Sequence, residues 1–468
     1  FKMEKISMDI DTFYAGEQAE EKNSIEYRGK EPENVGSGKE IAYEYPSLFT
    51  KKTLLELSNS SWSRSARARL DIQPYLRGCK WSPDGTCCLT VVNNDGVHVT
   101  ELPRELYTGS VVPNRMTDVL DSIIHVKEAG LIYDFCWYPG MNSNMPETCC
   151  WITTRQNAPI QMWDAFDGSL RCSYRGFNYV DEMEPALTTT FTSHGNRIIA
   201  GYKNMLRTFD VERPGREFGE HKLSSPASCL ATTANLLAVG SWNSSISLYN
   251  INEMGNYKSI GKMHGHEKGV THVKFAPDGI TLVSGARKDH RLLVWDIRHY
   301  RRPLNILRRV ADTNQRVYFD ISPCGKYLVT GGTDGVVKVW DGDHVDWKSS
   351  IDVTDERSDN CTYKFALHRD CCNGVSIHPS RPILATGSGQ YHFNDPINIE
   401  EVCGNGTKCQ SNSGQIALSF VQSSDNNEDG SLFMSDEECV DMKYSSISEN
   451  CLVFWWIGGP DSESLERF

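Results

Sequence analysis

Short apolar segments alternate with polar turns along most of the chain from Trp62 onward. Each copy of the pattern has an apolar strand, a tight turn, a second apolar strand, a polar turn and a third strand that ends near Trp-Asp. The clearest copy has its strands at residues 269–275, 282–285 and 292–296, with the turn Ala276-Pro277-Asp278-Gly279 after the first strand. Proline and glycine set the dihedrals of such a turn, and valine, leucine and phenylalanine fit a sheet buried on both faces. The pattern predicts an all-β fold.

Seven copies of this pattern occur, of which two are degenerate and end at residues 206–210 and 246–250. The turn prolines Pro277, Pro323 and Pro379 lie 46 and 56 residues apart, which is near the WD-repeat period of about 40–45 residues with modest insertions. Seven copies also fall within the usual range of about 4–8 blades for a propeller. The sequence therefore predicts a seven-bladed WD-repeat β-propeller over residues 45–459.

A propeller must also close its ring, and the first copy begins only after Trp62. We expect residues 62–70 to form the outer strand of the last blade and to pair with residues 451–456. Pairing of this kind leaves no unpaired sheet edge.

The formal net charge of −13 is concentrated in two segments. Residues 1–50 carry eleven acidic and six basic side chains, and residues 391–450 carry eleven acidic and two basic ones. Because these segments are polar, they cannot bury enough surface to offset the entropy of ordering. We predict a disordered acidic tail at 1–44, a disordered acidic insert in the last blade at 391–450, and a C-terminal tail at 460–468. The remaining chain is close to neutral and can still carry a basic patch.

The sixteen cysteines fall largely within apolar segments such as Cys87-Cys88 and Cys149-Cys150, so we expect buried free thiols rather than disulfides. No Cys-x-x-Cys pair occurs, and we predict no metal site. No apolar run approaches the roughly 20 residues that a membrane span requires. These features predict a soluble, intracellular protein in a reducing compartment, without membrane partners.

The chain shows none of the residue combinations that predict catalysis, such as a nucleophile with a base or a phosphate-binding loop. Residues 331–335 are rich in glycine but lie between two strands with no helix following, so we interpret them as a hairpin turn. Asp289 and Asp334 each precede a tryptophan by six residues and fit the structural hydrogen-bonding aspartate of the repeat. We therefore predict a binding protein with no enzymatic activity, no catalytic residues and no cofactor.

In a propeller, the turns between second and third strands and the connections leading into first strands meet at one end of the channel. On this predicted face, cations, amides and aromatic rings occur together, which is the mixture that unstacked RNA bases and their phosphates require. The candidate RNA-binding residues are Arg155, Arg175, Phe177, Asn178, Tyr179, Lys203, Trp242, Arg287, Lys288, Asn314, Gln315, Arg316, Asn373 and Gln390.

A second interpretation fits the same spacing. The candidate residues could be solvated turn residues and protein contacts, as in a protein-only interaction scaffold or peptide reader. Phe177 and Tyr179 are compatible with packing between blades, and Trp242 with filling its own blade. The three arginines of residues 64–69 fit a solvated edge better than an RNA contact.

Several phrases resemble one WD-repeat family, the telomerase Cajal body proteins. They are Tyr75-Leu76-Arg77-Gly78-Cys79-Lys80-Trp81-Ser82-Pro83-Asp84-Gly85, Trp163-Asp164-Ala165-Phe166-Asp167-Gly168, Ser284-Gly285-Ala286-Arg287-Lys288-Asp289, Thr313-Asn314-Gln315-Arg316-Val317-Tyr318-Phe319-Asp320, Asn373-Gly374-Val375-Ser376 with His378-Pro379, and Phe454-Trp455-Trp456 with Gly458-Gly459. The resemblance spans about residues 62–462. We recognise no family-like phrase in residues 1–61 and 391–450, and Cys371-Cys372 replaces a more polar pair.

The resemblance implies an RNA-binding scaffold that recognises the CAB box in terminal loops of H/ACA small Cajal-body RNAs, and of telomerase RNA in organisms that have it. It also implies that these RNAs are directed to Cajal bodies in the nucleus, together with dyskerin-type H/ACA ribonucleoprotein partners. Arg287, Lys288, Gln315 and Arg316 lie within the family-like phrases. We further expect a monomeric propeller whose folding is assisted by a chaperonin.

Overall fold

A computed structural model describes residues 48–49, 54–62, 74–107, 120–128, 130–252, 255–344, 346–349, 361–392 and 449–458. In this part of the chain, seven four-stranded antiparallel sheets form the blades of a β-propeller, as predicted. Among these described residues, helical structure is confined to α1 (Arg104–Tyr107) and a 3₁₀ turn (Pro146–Thr148). No described helix is long and apolar enough to cross a membrane. The predicted tails at 1–44 and 460–468, residues 64–69 and most of the predicted insert lie outside the described residues.

The strands are numbered in chain order, and those of each blade are named from the innermost strand outward. The strand β1 (Leu55–Ser61) precedes the first blade in sequence and is the outermost strand of blade 7. Blade 1 contains β2 (Leu76–Trp81), β3 (Cys87–Val92), β4 (Gly96–Glu101) and β5 (Ser122–Val126); blade 2 contains β6 (Ile132–Trp137), β7 (Cys150–Arg155), β8 (Ile160–Asp164) and β9 (Leu170–Tyr174); blade 3 contains β10 (Thr188–Phe191), β11 (Arg197–Gly201), β12 (Met205–Asp210) and β13 (Gly219–Lys222). Blade 4 contains β14 (Ala227–Thr233), β15 (Leu236–Ser241), β16 (Ser245–Ile251) and β17 (Tyr257–His264); blade 5 contains β18 (Val270–Phe275), β19 (Thr281–Ala286), β20 (Arg291–Asp296) and β21 (Asn305–Arg308); blade 6 contains β22 (Phe319–Ile321), β23 (Tyr327–Thr330), β24 (Val336–Asp341) and β25 (Tyr363–Ala366); and blade 7 contains β26 (Cys372–Ile377), β27 (Ile383–Ser388), β28 (Cys451–Trp456) and β1.

The tight turns after the inner strands follow from their residue types. Gly279 and Gly325 have φ angles of +67° and +71°, a left-handed conformation that glycine adopts without a Cβ clash. In the first of these turns, Asp278 Oδ1 accepts hydrogen bonds from the amides of Ile280 and Thr281, at 2.9 and 2.8 Å. The turn that the sequence pattern predicted is therefore held by backbone geometry and by one carboxylate.

The apolar core of the described chain lies between blades. Seven clusters of buried apolar side chains occur in it, one for each pair of neighbouring blades. Between blades 5 and 6, for example, Val283, Leu292 and Val294 pack against Phe319 and Trp340. Full burial of each such side chain contributes about 1.5–3 kcal/mol. The cysteines within the described residues are free and mostly buried, which confirms the expectation of structural thiols.

The ring closes as predicted, but a different strand closes it. Residues 55–61, rather than residues 62–70, pair antiparallel with β28, from Leu55 opposite Trp456 to Ser61 opposite Cys451. Leu57 of this strand is buried in the apolar cluster between blades 7 and 1, so the closing strand also contributes to the core. The strand ends at Ser61, and the amide of the next residue, Trp62, donates to the Asn450 carbonyl at 2.9 Å.

Blade 5 is held by a buried polar chain of four side chains. His266 Nδ1 lies 2.9 Å from Asp289 Oδ2, and its Nε2 lies 2.8 Å from Ser284 Oγ. Trp295 Nε1 donates to the same hydroxyl at 2.8 Å. Because the carboxylate can only accept, the histidine donates through Nδ1 and accepts the serine proton at Nε2. The predicted structural role of Asp289 is confirmed.

Blade 7 repeats this chain with different residues. His368 lies 3.3 Å from Glu449 and 2.7 Å from Thr386 Oγ1, to which Trp455 Nε1 also donates at 2.7 Å. Glu449 precedes its tryptophan by six residues, as Asp289 does in blade 5. The last residues of the predicted 391–450 insert thus contribute directly to the blade.

Asp334 does not repeat this role, so that part of the prediction was wrong. Its side chain is exposed, and Oδ1 accepts the Val336 amide of its own turn at 3.2 Å. Blade 6 instead has the buried Arg309, which donates to Thr330 Oγ1 at 3.0 Å and to the Val317 carbonyl at 2.9 Å. A guanidinium has no acceptor, so it cannot relay a hydroxyl proton as a histidine does.

Leu57→Ala tests the closing strand. We expect the free energy of unfolding to fall by about 2–5 kcal/mol, because the substitution leaves a cavity in the cluster between blades 7 and 1. Urea denaturation followed by tryptophan fluorescence measures this loss. Ser61→Ala, at the exposed end of the same strand, is the control and should stay close to the wild type. Equal stability of Leu57→Ala and the wild type would show that residues 55–61 do not close the ring.

Glu449→Gln tests the polar chain of blade 7. Burial alone would raise the pKa of Glu449, but hydrogen bonds from His368 and from the Arg369 amide lower it to about 2. A depressed carboxyl pKa stabilises the fold fully above the ordinary value of 4.5, and this stabilisation is lost as the pH falls towards about 2. We therefore expect the wild type to exceed Glu449→Gln in urea-unfolding free energy at pH 7, and the difference to shrink between pH 4.5 and pH 2. Glu147→Gln, at an exposed glutamate, is the control, and a difference independent of pH would contradict the assignment.

Candidate nucleic-acid interface

The turns between second and third strands and the connections leading into first strands do meet at one end of the propeller. In the β19–β20 turn, the Lys288 amide donates to the Thr313 carbonyl, which precedes β22, at 3.0 Å. The neighbouring Arg287 guanidinium lies 5.7 Å from the ring centroid of Trp242, in the β15–β16 turn of blade 4. Blades 4, 5 and 6 therefore contribute adjacent residues to this face, as the sequence pattern predicted.

Two aromatic side chains of this face are open to solvent. Trp242 is 52% exposed and lies beside Arg287, while Tyr179, between β9 and β10, is 99% exposed. Neither ring fills the core of a blade or packs between blades, so the structure does not support the packing interpretation for these two residues. Together with the exposed Lys203, in the β11–β12 turn, they form an aromatic and cationic surface over blades 3 to 5.

The residues next to Tyr179 stabilise the loop between β9 and β10. Asn178 Oδ1 accepts the amides of Val180 and Glu182 at 3.0 and 2.9 Å, and the Arg216 guanidinium lies 3.8 Å from the ring centroid of Phe177. Phe177 and Asn178 are thus committed to holding the loop. The loop, in turn, presents the tyrosine.

Arg316 lies in the channel and joins three blades. Its Nη1 donates to Asp134 Oδ1 of β6 at 2.8 Å and to the Tyr318 hydroxyl at 3.2 Å, and its Nη2 donates to the Ser228 carbonyl of β14 at 2.9 Å. Burial alone would raise the pKa of Asp134, but the positive charges of Arg316 and Lys80 hold it below its ordinary value. Arg316 therefore links inner strands across the channel and also belongs to the candidate face.

The mouth of the channel holds two further cations that the sequence pattern did not single out. Arg77 donates to the Ile132 carbonyl, and Lys80 Nζ donates to the Phe135 carbonyl at 2.6 Å and lies 4.0 Å from Asp134. Both lie in β2. A charged residue within an otherwise apolar inner strand is the feature of the sequence that could have identified them. Lys80 and Arg316 thus both contact the Asp134 carboxylate, and Arg77 lies close to the same group.

His272 of β18 lies close to these cations. Its ring packs against Tyr318 and Phe319, with centroids 4.9 and 4.6 Å away. Burial lowers the pKa of His272 well below its ordinary value, and the charges of Arg316 and Lys80 lower it further. The imidazole is therefore neutral at physiological pH and does not add to the charge.

The pocket at the channel mouth combines these groups. It is lined by Arg77, Val91, Ile132, Tyr133, Phe135, Gln315, Arg316 and Tyr318. Gln315, a predicted site residue, thus faces a small polar cavity with guanidinium groups on its wall.

Three predicted residues are committed to the fold. Asn373 is only 1% exposed, and its amide donates to the carbonyls of Leu76 and Gly389, which fixes blade 7 to blade 1. Gln390 donates to Asp370 at 2.7 Å. Arg155 donates to Gln161 at 3.2 Å and lies 3.8 Å from the buried Glu128. Because the buried Asn373 amide already satisfies two buried carbonyls, it is not available to a ligand. This corrects the prediction of Asn373 as an RNA-binding residue.

Five of the other predicted residues are accessible to solvent. Arg175, Lys203, Lys288 and Asn314 are exposed, and Arg287 is half-buried beside Trp242.

The fold and this face define a WD-repeat β-propeller that gathers cations and exposed aromatic rings at one end of its channel. Residues 257–296 and 312–341 match the family described as "WD domain, G-beta repeat". The chain is 38% identical over 427 residues to the Drosophila melanogaster protein named "Telomerase Cajal body protein 1 homolog", an alignment that covers 90% of this chain and 72% of that relative. It is also 39% identical over 351 residues to the Homo sapiens "Telomerase Cajal body protein 1", covering 72% of this chain and 60% of the human protein. The chain belongs to the telomerase Cajal body protein family.

Asp134→Asn tests the ion pair in the channel. We expect the free energy of unfolding to fall by about 3–5 kcal/mol, because removing one member of a buried ion pair leaves the other uncompensated. Chemical denaturation measures the loss. Asp312→Asn, which changes an exposed carboxylate before β22, is the control and should cost at most about 1 kcal/mol. Equal stability of the two variants would contradict a structural role for the Arg316–Asp134 pair.

Proposed function

We propose that the protein is an RNA-binding scaffold that holds a single-stranded RNA loop on the channel end of its propeller. The observation that carries this proposal is the pairing of an exposed indole, Trp242, with the guanidinium of Arg287 at 5.7 Å, on the same face as the exposed Tyr179. Bases extruded from a loop stack on such rings, and each stacked base contributes about 1–3 kcal/mol.

The charge of the site supports the same ligand. Arg287, Lys288 and Lys203 lie on exposed turns of blades 5 and 3, where they can neutralise phosphates. The excess of cations at the channel mouth adds a positive field to this end of a chain whose net charge is −13. Asn314 and Gln315, on the connection into β22, offer amide groups for base edges.

The relatives are named for telomerase and the Cajal body, which supports an RNA that belongs to these assemblies. We propose that the loop is the CAB box of H/ACA small Cajal-body RNAs, and of telomerase RNA in organisms that have it. The protein then directs these RNAs to Cajal bodies in the nucleus, with dyskerin-type ribonucleoprotein partners. We also propose that it acts as a monomeric propeller and that a chaperonin assists its folding.

The second candidate is a scaffold that binds proteins alone. It is favoured by the apolar character of the loop between β9 and β10, where Val180 and Met183 are exposed beside Tyr179. An exposed apolar loop is a common protein contact. Purification with protein partners but without RNA, in the absence of nuclease, would favour this candidate over the first.

Binding to a CAB-box hairpin, measured at several salt concentrations, tests the RNA proposal. We expect the double variant Arg287→Ala with Lys288→Ala to lose about 1–3 kcal/mol of binding free energy and to show a shallower salt dependence, because phosphate contacts are lost. We expect Trp242→Ala to lose a similar free energy without a change in salt dependence, since stacking releases no counterions.

Matched controls lie at the opposite end of the propeller. Phe166, in the β8–β9 turn, is 58% exposed, and Arg298 follows β20 and is also exposed. Phe166→Ala and Arg298→Ala should bind the hairpin as the wild type does. If the channel-face variants and these controls bind equally well, the RNA does not occupy the proposed face.

A further inference from the structure

Two histidines and one aspartate converge at the edge of blade 1. His98 on β4 lies directly opposite His125 on β5, and their rings are parallel, with centroids 4.1 Å apart and an angle of 14° between their planes. Asp95 lies in the β3–β4 turn, three residues before His98. The pairing of the two strands therefore fixes both imidazoles on one side of the blade, next to a carboxylate.

The potential ligand atoms of this cluster face one another. His98 Nε2 lies 2.9 Å from Asp95 Oδ2, and His125 Nε2 lies 3.4 Å from Asp95 Oδ1. All three ligand atoms lie within 4.8 Å of one another. Zinc binds imidazole nitrogens and carboxylate oxygens at about 2.0–2.2 Å in tetrahedral geometry, which places neighbouring ligand atoms about 3.3 Å apart. Small side-chain adjustments are therefore enough to place an ion between them.

The surroundings of His98 favour a ligand orientation. Its Nδ1 lies 3.0 Å from the Ser122 hydroxyl, so the second ring nitrogen is fixed by an outer partner while Nε2 points to Asp95. Metal-bound histidines generally have such a partner, which sets the tautomer and the ring orientation.

The described chain contains a second cluster of potential metal ligands, which is less accessible than the cluster of blade 1. His368, Glu449 and Cys451 also lie close together, but His368 already bonds to Glu449 and Thr386 through its two nitrogens. These bonds belong to the polar chain that holds blade 7. In the cluster of blade 1, His98 also bonds through both nitrogens, and His125 Nε2 lies 3.1 Å from the Asp95 carbonyl oxygen. The side chains of Asp95 and His125 are 34% and 29% exposed, however, whereas His368 is fully buried, so an ion from solvent can reach the cluster of blade 1.

We propose that Asp95, His98 and His125 bind a divalent late transition-metal ion, of which Zn²⁺ is the natural candidate. The ligands are the two Nε2 atoms and one carboxylate oxygen, and the fourth position of a tetrahedral ion is open to water or to an incoming ligand. A set of two imidazoles and one carboxylate selects such ions over Mg²⁺ and Ca²⁺, which prefer oxygen ligands alone. This inference is independent of RNA binding.

Titration of the chelator-treated full chain with Co²⁺ and Zn²⁺ tests the proposal. We expect one equivalent of Co²⁺ to produce the visible absorption bands of a tetrahedral site, and Zn²⁺ to displace it and to bind with 1:1 stoichiometry by calorimetry. His125→Ala and Asp95→Asn should each bind Zn²⁺ at least about tenfold more weakly, since each removes one of three ligands.

His290→Ala is the matched control. His290 lies 3.3 Å from Asp312 in an exposed His–Asp pair and should make no contribution to tight binding. The proposal is overturned if the wild type shows no saturable binding, if His125→Ala binds as the wild type does, or if His290→Ala loses as much affinity. Circular dichroism of the metal-free variants shows whether they fold, and should His125→Ala not fold, Asp95→Asn in the turn decides the outcome.

Discussion

Pairing between β1 and β28 is the constraint on which the ring depends. The two strands are far apart in sequence, and their pairing completes blade 7 beside blade 1. Once the ring is closed, the inner strands face a common channel. Arg316 of blade 6 can then reach both Asp134 of blade 2 and the Ser228 carbonyl of blade 4. Contacts across the channel exist only because closure fixes the angle between successive blades.

The inner strands are joined by buried polar groups as well as by apolar packing. Asp320 in β22 accepts the Ile377 amide of blade 7 at 2.8 Å and contacts Lys274 of blade 5. Asp134 similarly accepts from Thr188 of blade 3 and from Arg316. In a medium of low dielectric constant, such charge-assisted bonds are strong when satisfied and costly when broken.

The candidate face could be predicted in part because turn residues are fixed by the repeat. Trp242, Arg287 and Lys288 lie where the copies of the pattern place second-to-third turns, and the structure brings them together. Asn373 could not be distinguished from them in sequence, since an amide before an inner strand looks the same whether it faces solvent or two buried carbonyls. Arg77 was overlooked for a related reason: whether a charge within an inner strand points into the channel depends on the neighbouring blade.

The sequence by itself determined the architecture, because strand alternation, turn prolines and glycines, and the Trp-Asp endings are local signals that recur at each copy. Local signals also identified the chemistry of the turns and the structural Asp289. Only the tertiary structure decided which segment closes the ring, which polar residues are used up in blade contacts, and which charges meet in the channel. Likewise, no spacing in the sequence relates Asp95 and His98 to His125, since their proximity comes from the pairing of β4 with β5. These properties depend on contacts between residues that the chain order separates, and such contacts form only when the blades are in place.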